Sequence, residues 1–255
     1  MIYIYAHTNN KSLDSLRRAE AIYERFKADD DMGLLLNDHR AQAYSRNLNL
    51  PPALTIDSIL DLNVVTNRGD SVIIDSNEEY GNKYQFFQDY FDKIYRVTDS
   101  VDNLLEGEEP ILYLDEILVS SRYKDAKNTI KSKKIIFIDD SDKDMILLPY
   151  AKEFNDSGFE LIVGDYIFPS YEDKLNNLFD TVYESEEYID LIPKASVVIT
   201  ASVQTALEAN TAGSKVFFVN TNSNFDYISD KLTDMGIDII EWNRDTIESI
   251  TSQSF

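Results

Sequence analysis

Short apolar runs alternate with amphipathic stretches along the whole chain. The runs are rich in β-branched and aromatic residues, which favour buried strands. They predict strands at residues 1–6, 33–36, 71–75, 94–96, 134–139, 159–163, 181–183, 196–200, 215–219 and 237–240. Strands that alternate with helices are typical of βαβ units. The pattern therefore predicts an α/β fold with parallel sheets.

The segments between these strands carry apolar residues at helical spacing. In residues 11–27, for example, Leu13, Leu16, Ala19 and Ile22 share one face. The same spacing predicts helices at 80–92, 143–155, 170–178, 186–193, 203–212 and 224–235, and a last helix beginning near Asn243.

A change of composition near residues 100–133 suggests a connection between two domains. The acidic, turn-rich stretch SVDNLLEGEEP is followed by the basic, polar stretch SSRYKDAKNTIKSKK. We expect an N-terminal Rossmann-like domain at 1–115 and a C-terminal, nucleotide-binding-type Rossmann-like domain at 116–242. We expect residues 243–255 to form a helix that packs back on the N-terminal domain.

The charge of the chain bears on its partners. Acidic residues outnumber basic ones 46 to 24, which gives a formal net charge of -22. Such a field repels phosphate backbones, so nucleic acid is not an expected partner. It also opposes small anionic ligands unless local basic groups or helix N-termini counter it.

Composition also limits the chemistry and the expected location. No apolar run approaches ~18 residues, so no membrane span is expected. The N-terminus has the pattern of a strand rather than a signal peptide, which predicts a cytoplasmic protein. The chain has no cysteine and only two histidines. Disulfides, classical zinc sites and Ser-His-Asp triads are therefore not expected, and neither a metal nor a cofactor is predicted.

The stretch VVITASVQTALEANTAGSKVFFV, residues 197–219, predicts a strand, a loop, a helix and a strand. Ligands in open parallel sheets bind at the carboxyl ends of strands, beside helix N-termini. Ser202 is the predicted N-cap and would accept from the N–H of Thr205. Thr205 and Glu208 are three residues apart and can face one ligand, such as a ribose diol. The alternative is a capped, solvated helix start in which the helix dipole favours Glu208.

Other polar residues follow strands of the predicted sheets. Asp139 and Asp140 either cap the next helix or serve a metal-dependent enzyme. His7 and Asp75 end two strands of the first domain, and either is a candidate for a catalytic base. Asn224 lies in the loop after the strand at 215–219, where its amide would bind a sugar or form a turn.

Two further features of the first domain have a structural alternative. Arg17 and Arg18 could neutralise a phosphate, but exposed helix arginines near Asp14 and Glu20 are the preferred interpretation. The adjacent pair Glu78-Glu79 is a weak signal for carboxylate chemistry, because adjacent loop residues seldom converge on one ligand.

In this order the segments resemble the two-Rossmann GT-B fold. Within it the chain resembles the UDP-sugar hydrolases of pseudaminic acid biosynthesis, the PseG family, and more distantly the MurG-type glycosyltransferases. The resemblance covers nearly the whole length. The segments that carry it are SLRRAEAIYERF, DSVIIDSNEEY, YLDEILVSSRYKDA, KKIIFIDDSDKD and the C-terminal stretch KASVVITASVQTALEANTAGSKVFFVNTNSNFDYISDKLTDMG.

The resemblance implies two parallel sheets that face each other across a cleft. It implies a UDP-sugar hydrolase or glycosyltransferase in bacterial surface or flagellar glycan metabolism. It also implies that Glu208 binds the ribose of UDP, that Thr205 lies near the diphosphate, and that Asn224 lies on the sugar side.

The chain departs from the family pattern where phosphates would approach. Ser202 and Val203 replace one pair of glycines, and Asp139 and Asp140 replace another. A side chain there obstructs the close approach of a diphosphate to the backbone. The family's loop histidine, the proposed catalytic base, is also missing, and His7 lies several residues earlier.

Two functions remain open at this stage. The first is an enzyme that holds a UDP-sugar-like small molecule through Thr205, Glu208 and Asn224, with His7 or Asp75 as base. The second is a non-catalytic GT-B-derived scaffold that binds a protein partner. The retained threonine and glutamate favour the first function, and the lost glycines and histidine favour the second.

Overall fold

Each half of the chain forms one six-stranded parallel sheet. A computed structural model describes residues 1–28, 31–221 and 226–253, without the side chain of residue 226. The chain divides into two units, Met1–Ser120 and Ser121–Phe255.

The first unit orders its strands β3-β2-β1-β4-β5-β6. The strands are β1 (Ile2–Ala6), β2 (Met32–Leu36), β3 (Ala53–Thr55), β4 (Ser71–Asp75), β5 (Ile94–Thr98) and β6 (Glu108–Leu112). The helices are α1 (Asp14–Phe26), α2 (His39–Tyr44), α3 (Leu62–Val65) and α4 (Tyr84–Tyr90). The central strand β1 is buried along its whole length, as expected for a parallel strand covered on both faces.

The second unit repeats this order, as β12-β11-β10-β7-β8-β9. Its strands are β7 (Lys133–Ile136), β8 (Phe159–Ile162), β9 (Val182–Tyr183), β10 (Ala195–Thr200), β11 (Lys215–Val219) and β12 (Asp238–Ile240). Its helices are α5 (Ser121–Asp125), α6 (Ala151–Asp156), α7 (Pro169–Asn176), α8 (Tyr188–Leu191), α9 (Val203–Thr211), α10 (Asp226–Asp234) and α11 (Arg244–Thr251). Counted from β7, this is the 3-2-1-4-5-6 order of the first unit, so both sheets are Rossmann-like. The predicted α/β class with parallel sheets is confirmed.

Each unit has its own apolar core. In the first, Tyr5, Val72 and Ile74 of the central strands pack with Phe87 of α4. The core of the second unit includes strand residues of β7, β8, β10 and β11. Ile247 and Ile250 of α11 are also buried there, although the sequence suggested that this helix packs on the other domain. The domain boundaries stay a prediction.

The two strands that the sequence missed, β3 and β6, are the edge strands of the first sheet. β3 directly follows Pro51 and Pro52 and has one strongly apolar residue, Leu54, which is 53% exposed. β6 contains Pro110, which an edge strand tolerates because one side of its backbone has no neighbour. Neither segment has the apolar run by which an inner strand is recognised.

The helix predicted at 143–155 begins only at Ala151. Asp142 and Met145 have positive φ angles of 34° and 51°, which a right-handed helix does not allow. Pro149 then lies in a short 3₁₀ turn, Leu148–Tyr150. The segment after β7 is therefore a long structured loop, which we call the β7 loop (residues 139–147).

Both sheets reverse their strand order at a switch point, between β1 and β4 and between β7 and β10. In open α/β sheets, ligands bind at the carboxyl ends of the strands beside such a point. His7 and Asp75 lie at this edge of the first sheet. Asp139, Asp140 and the start of α9 lie at this edge of the second.

Gly164 allows the backbone after β8 to touch the β7 loop. A Cβ atom at this position would lie 2.3 Å from the Asp140 Cα and carbonyl oxygen. We expect Gly164→Ala to lower the free energy of unfolding by about 1–3 kcal/mol, measured by urea denaturation. Gly33→Ala is the control, because its Cβ would meet a side chain, the Tyr3 ring, at 2.6 Å. An equal or larger loss in the control would contradict this account.

Buried tyrosines predict a loss of stability in alkali. Burial, reinforced by hydrogen bonds to carboxylates, raises the pKa of Tyr5 and Tyr171 well above 10. Burial raises the pKa of Tyr113 to about 12, against the opposing charge of Arg18. The unfolded chain ionises these phenols near pH 10, while the folded chain keeps them protonated. The free energy of unfolding should therefore fall as the pH rises above about 10.

The measurement is tyrosinate absorbance and circular dichroism during one alkaline titration. Of the 16 tyrosines, we expect a fraction to ionise only as the fold is lost. Ionisation of all of them near pH 10, with the circular dichroism unchanged, would refute the prediction.

Candidate functional site

The turn between β10 and α9 is tied to the neighbouring strand β7. The Ala201 N–H donates to the Ile138 carbonyl at 2.7 Å, and the Thr200 hydroxyl donates to the same oxygen at 3.2 Å. The Ser202 N–H donates to the Thr200 Oγ1 at 3.0 Å. These bonds fix the start of α9 at the switch point of the second sheet.

Ser202 is the N-cap of α9, as the sequence predicted. Its Oγ accepts from the Thr205 N–H at 3.0 Å. This bond satisfies one of the N–H groups that a helix leaves unpaired in its first turn.

Beyond the cap lies a buried polar group, the α9 cluster, formed by Tyr188, Gln204, Thr205 and Glu208. The Tyr188 hydroxyl donates to the Glu208 Oε2 at 2.6 Å and lies 2.8 Å from the Thr205 Oγ1. The Gln204 Nε2 donates to the Glu208 Oε1 at 2.9 Å. Thr205 and Glu208 thus face one group, as their spacing suggested. In the structure that group is the Tyr188 hydroxyl rather than a ligand.

The α9 cluster is enclosed by the fold. Glu208 is 1% exposed, and Gln204 and Thr205 are fully buried. The Tyr188 ring packs edge-on against Phe137, with ring centroids 5.0 Å apart. A ligand hydroxyl at Glu208 would take the place of the Tyr188 hydroxyl.

Sequence reasoning missed two members of the α9 cluster. Gln204 is four residues before Glu208, so its helical spacing was a usable signal. Tyr188 lies in another segment and reaches Glu208 only through tertiary packing, which no local pattern shows.

The β7 loop corrects the interpretation of its aspartates as helix caps. The Asp139 Oδ1 accepts from the Ser141 N–H at 2.7 Å and the Asp142 N–H at 2.5 Å. The Asp142 carboxylate accepts from the Ile146 N–H at 3.0 Å and the Leu147 N–H at 3.3 Å. The interpretation of Asp139 and Asp140 as caps is wrong because α6 begins only at Ala151. The Asp139 carboxylate binds loop amides instead.

Asp140 and Asp142 are the most buried acidic residues of the β7 loop. Asp140 is fully buried, and its carbonyl accepts from the Tyr166 N–H at 2.8 Å. Asp142 also accepts a hydrogen bond from the Tyr171 hydroxyl. Burial raises the pKa of Asp142, although its hydrogen bonds act in the opposite direction. In the described ranges of the chain, no three His, Asp or Glu residues are grouped to hold a metal ion.

At the switch point of the first sheet, His7 faces the carboxylate of Glu78, a residue that the sequence analysis treated as a weak signal. The His7 Nε2 lies 3.8 Å from the Glu78 Oε1. The Glu78 Oε2 accepts from the Tyr5 hydroxyl at 2.5 Å and the Ile59 N–H at 3.2 Å. The His7 Nδ1 is buried and has no hydrogen-bond partner among the described residues.

Asp75 is held by Arg18 through both oxygens. The Arg18 Nε donates to Oδ2 at 2.7 Å and Nη2 donates to Oδ1 at 2.9 Å. The guanidinium also lies 4.8 Å from the centre of the Tyr113 ring. Burial by itself lowers the pKa of Arg18, but the Asp75 carboxylate outweighs it and raises that pKa above its ordinary value.

The expectation that the two arginines are exposed is wrong. Arg17 is 2% exposed and pairs with Asp14 at 3.1 Å, and the Arg18 side chain is 13% exposed. Arg17 also lies over the Tyr44 ring, and Arg18 reaches Asp75 at the end of β4. The predicted sugar-side residue Asn224 lies outside the described residues.

The fold is shared with solved structures of nucleotide-sugar enzymes. S. aureus MnaA, in a co-structure with UDP, matches at a TM-score of 0.56 with 10% identity, covering 98% of this chain and 86% of that chain. The UDP-GlcNAc 2-epimerase of Neisseria meningitidis, bound to UDP-GlcNAc, matches at 0.51 with 10% identity, covering 98% and 90%. The glycosyltransferase SnogD of Streptomyces nogalater matches at 0.50 with 12% identity, covering 95% and 87%.

These similarities define the class of fold. The chain has the GT-B fold, with two Rossmann-like units, and its structural neighbours are UDP-GlcNAc 2-epimerases and glycosyltransferases. No family model and no curated protein matches the sequence. The finer resemblance to PseG-type hydrolases stays a prediction, as does the cytoplasmic location. None of the helices in the described ranges has the length and apolar character needed to cross a membrane.

The Arg18–Asp75 pair should be critical for stability. Arg18→Met leaves Asp75 buried and unpaired, so we expect the free energy of unfolding to fall by about 3–5 kcal/mol. Arg244→Met is the control, because Arg244 and Glu248 form an exposed pair at 3.9 Å. Its loss should cost about 0.5 kcal/mol or less. Chemical denaturation of both variants is the measurement, and equal losses would disprove the structural role of the buried pair.

Proposed function

We propose that this chain binds a nucleotide-sugar-like small molecule at the carboxyl edge of its second sheet. The α9 cluster carries this proposal. It brings Thr205 and Glu208 together at a switch point, where ligands of open α/β sheets bind. The structural neighbours that hold UDP or UDP-GlcNAc support it at the level of the fold.

In this proposal the protein recognises hydroxyl groups of the ligand through hydrogen bonds. The Glu208 carboxylate is a strong acceptor for a ribose or sugar diol, and the Thr205 hydroxyl can donate or accept beside it. Ser202 holds the first turn of α9 in place. The Tyr188 hydroxyl occupies the position of a ligand hydroxyl and would be displaced on binding.

If the protein turns over its ligand, we assign the base to His7 rather than Asp75. Arg18 donates one hydrogen bond to each oxygen of Asp75, so both oxygens are already engaged by a protein group. The His7 Nδ1 is buried without a partner in the described part of the chain, while Glu78 faces the Nε2 atom. A histidine beside a carboxylate provides the residue types of a general base and of the group that orients it.

A hydrolase or glycosyltransferase reaction in bacterial surface-glycan metabolism is the finer form of the proposal, and the sequence resemblance supports it. The comparisons lend no support to the alternative of a scaffold for a protein partner.

Calorimetry with UDP-GlcNAc tests the site directly. Glu208→Gln removes the charged acceptor and should weaken binding at least about tenfold, since hydrogen bonds to charged groups contribute roughly 1.5–3 kcal/mol. Tyr188→Phe removes the competing hydroxyl and should leave binding unchanged or tighter. Glu160→Gln is the matched control, because Glu160 also accepts from a tyrosine, Tyr183 at 2.8 Å, but lies outside the α9 cluster.

Equal affinities for the wild type, Glu208→Gln and Glu160→Gln would contradict the proposed site. So would a loss of binding in Tyr188→Phe as large as that in Glu208→Gln, because Tyr188 would then be part of the binding surface rather than a competitor.

A further inference from the structure

Several backbone donors at the carboxyl edge of the second sheet already have partners inside the protein. In the β7 loop, the N–H groups of Ser141 and Asp142 donate to the Asp139 Oδ1. Those of Ile146 and Leu147 donate to the Asp142 carboxylate. These four donors thus bind carboxylate oxygens, while the Met145 N–H donates to the Asp142 carbonyl at 2.8 Å.

Three backbone donors at the turn before α9 also have partners, which here are neutral groups. They are the N–H groups of Ala201, Ser202 and Thr205. They donate to the Ile138 carbonyl, the Thr200 hydroxyl and the Ser202 hydroxyl, respectively.

A phosphate bound at such an edge is held by free backbone N–H groups, often at a helix N-terminus or in a concave turn. Here an incoming phosphate would have to displace Asp139 from the Ser141 and Asp142 amides. The displaced carboxylate would then lie beside the phosphate, and two like charges at close range repel each other. The net charge of -22 adds to this repulsion.

The β7 loop is also fixed from outside, so it does not open easily for a phosphate. The Trp242 Nε1 donates to the Ile146 carbonyl at 2.7 Å, and Tyr171 donates to Asp142. Gly164 brings the backbone after β8 into direct contact with Asp140.

We propose that Asp139 acts as a built-in anion at this site and sets its ligand specificity. The small molecule recognised at this edge presents an uncharged, hydroxyl-bearing group to the β7 loop. Its chemical class is a nucleoside or glycoside, and a diphosphate contributes nothing to its binding. The ligand class in this inference rests on the proposed function. The claim that Asp139 opposes anion binding at the β7 loop does not.

The experiment measures calorimetric affinities for uridine, UDP and inorganic pyrophosphate. Asp139→Gly frees two backbone N–H groups and removes one negative charge. We expect it to bind pyrophosphate at least about tenfold more tightly than the wild type does. Asp144→Asn is the matched control, because Asp144 is an exposed residue of the same loop and the charge change is the same. We expect the wild type to bind UDP no more tightly than uridine.

Two results would overturn the inference. One is wild-type binding of UDP at least about tenfold tighter than uridine, since the diphosphate would then be recognised. The other is pyrophosphate affinity in Asp139→Gly no higher than in the wild type and Asp144→Asn.

The failure of the proposed function has a separate signature. If neither uridine nor UDP binds any variant, the proposed function fails and the pyrophosphate comparison alone decides the role of Asp139. Thermal melting shows whether Asp139→Gly is folded. If it is not, Asp139→Asn replaces it, because the amide keeps an oxygen acceptor and loses only the charge. A gain in pyrophosphate affinity, smaller than for glycine, is then expected, and no gain overturns the inference.

Discussion

The pairing of backbone N–H groups at the carboxyl ends of the parallel strands governs both the fold and the site of this protein. Where a strand ends inside a covered sheet, each buried N–H needs a partner. Many proteins with this topology leave such donors open for a phosphate. This chain binds several of them internally, with Asp139 and Asp142 after β7 and with Thr200 and Ser202 after β10. These bonds order the β7 loop and the turn before α9 from within the protein.

The buried charged groups of the first unit are also paired inside the protein. Arg18 is paired with Asp75 through two hydrogen bonds. Arg96 donates to Glu108 at 3.0 Å and to the Ser76 carbonyl at 2.7 Å, and so ties the edge strand β6 to β5 and to the loop after β4. A chain with an excess of acidic residues thus uses its buried arginines to hold the sheet together. Removing one partner of such a pair leaves a buried charge, which is far more costly than losing a surface pair.

The fold was predictable from the sequence where buried elements have a recognisable apolar pattern. Inner strands such as β1 and β10 contain continuous apolar runs, because a parallel sheet covered on both faces favours them. The edge strands β3 and β6 were missed because one side of their backbone is open. β3 has only three residues, with no apolar run, and β6 contains two glutamates and a proline. The long loop after β7 was taken for a helix. Its apolar residues have helical spacing, but Asp142 and Met145 have positive φ angles, which that spacing does not show.

By itself, the sequence determined the α/β class, the positions of most strands and helices, the cap at Ser202 and the shared face of Thr205 and Glu208. These features depend on neighbours within about one helical turn or on the alternation of burial. Only the tertiary structure decided that Tyr188 is the group which those two residues face, that Arg18 is buried on Asp75, and that Glu78 lies beside His7. Each of these contacts joins residues from different strand–helix segments of one sheet. The order of the strands brings these segments together, and no local sequence pattern shows that order.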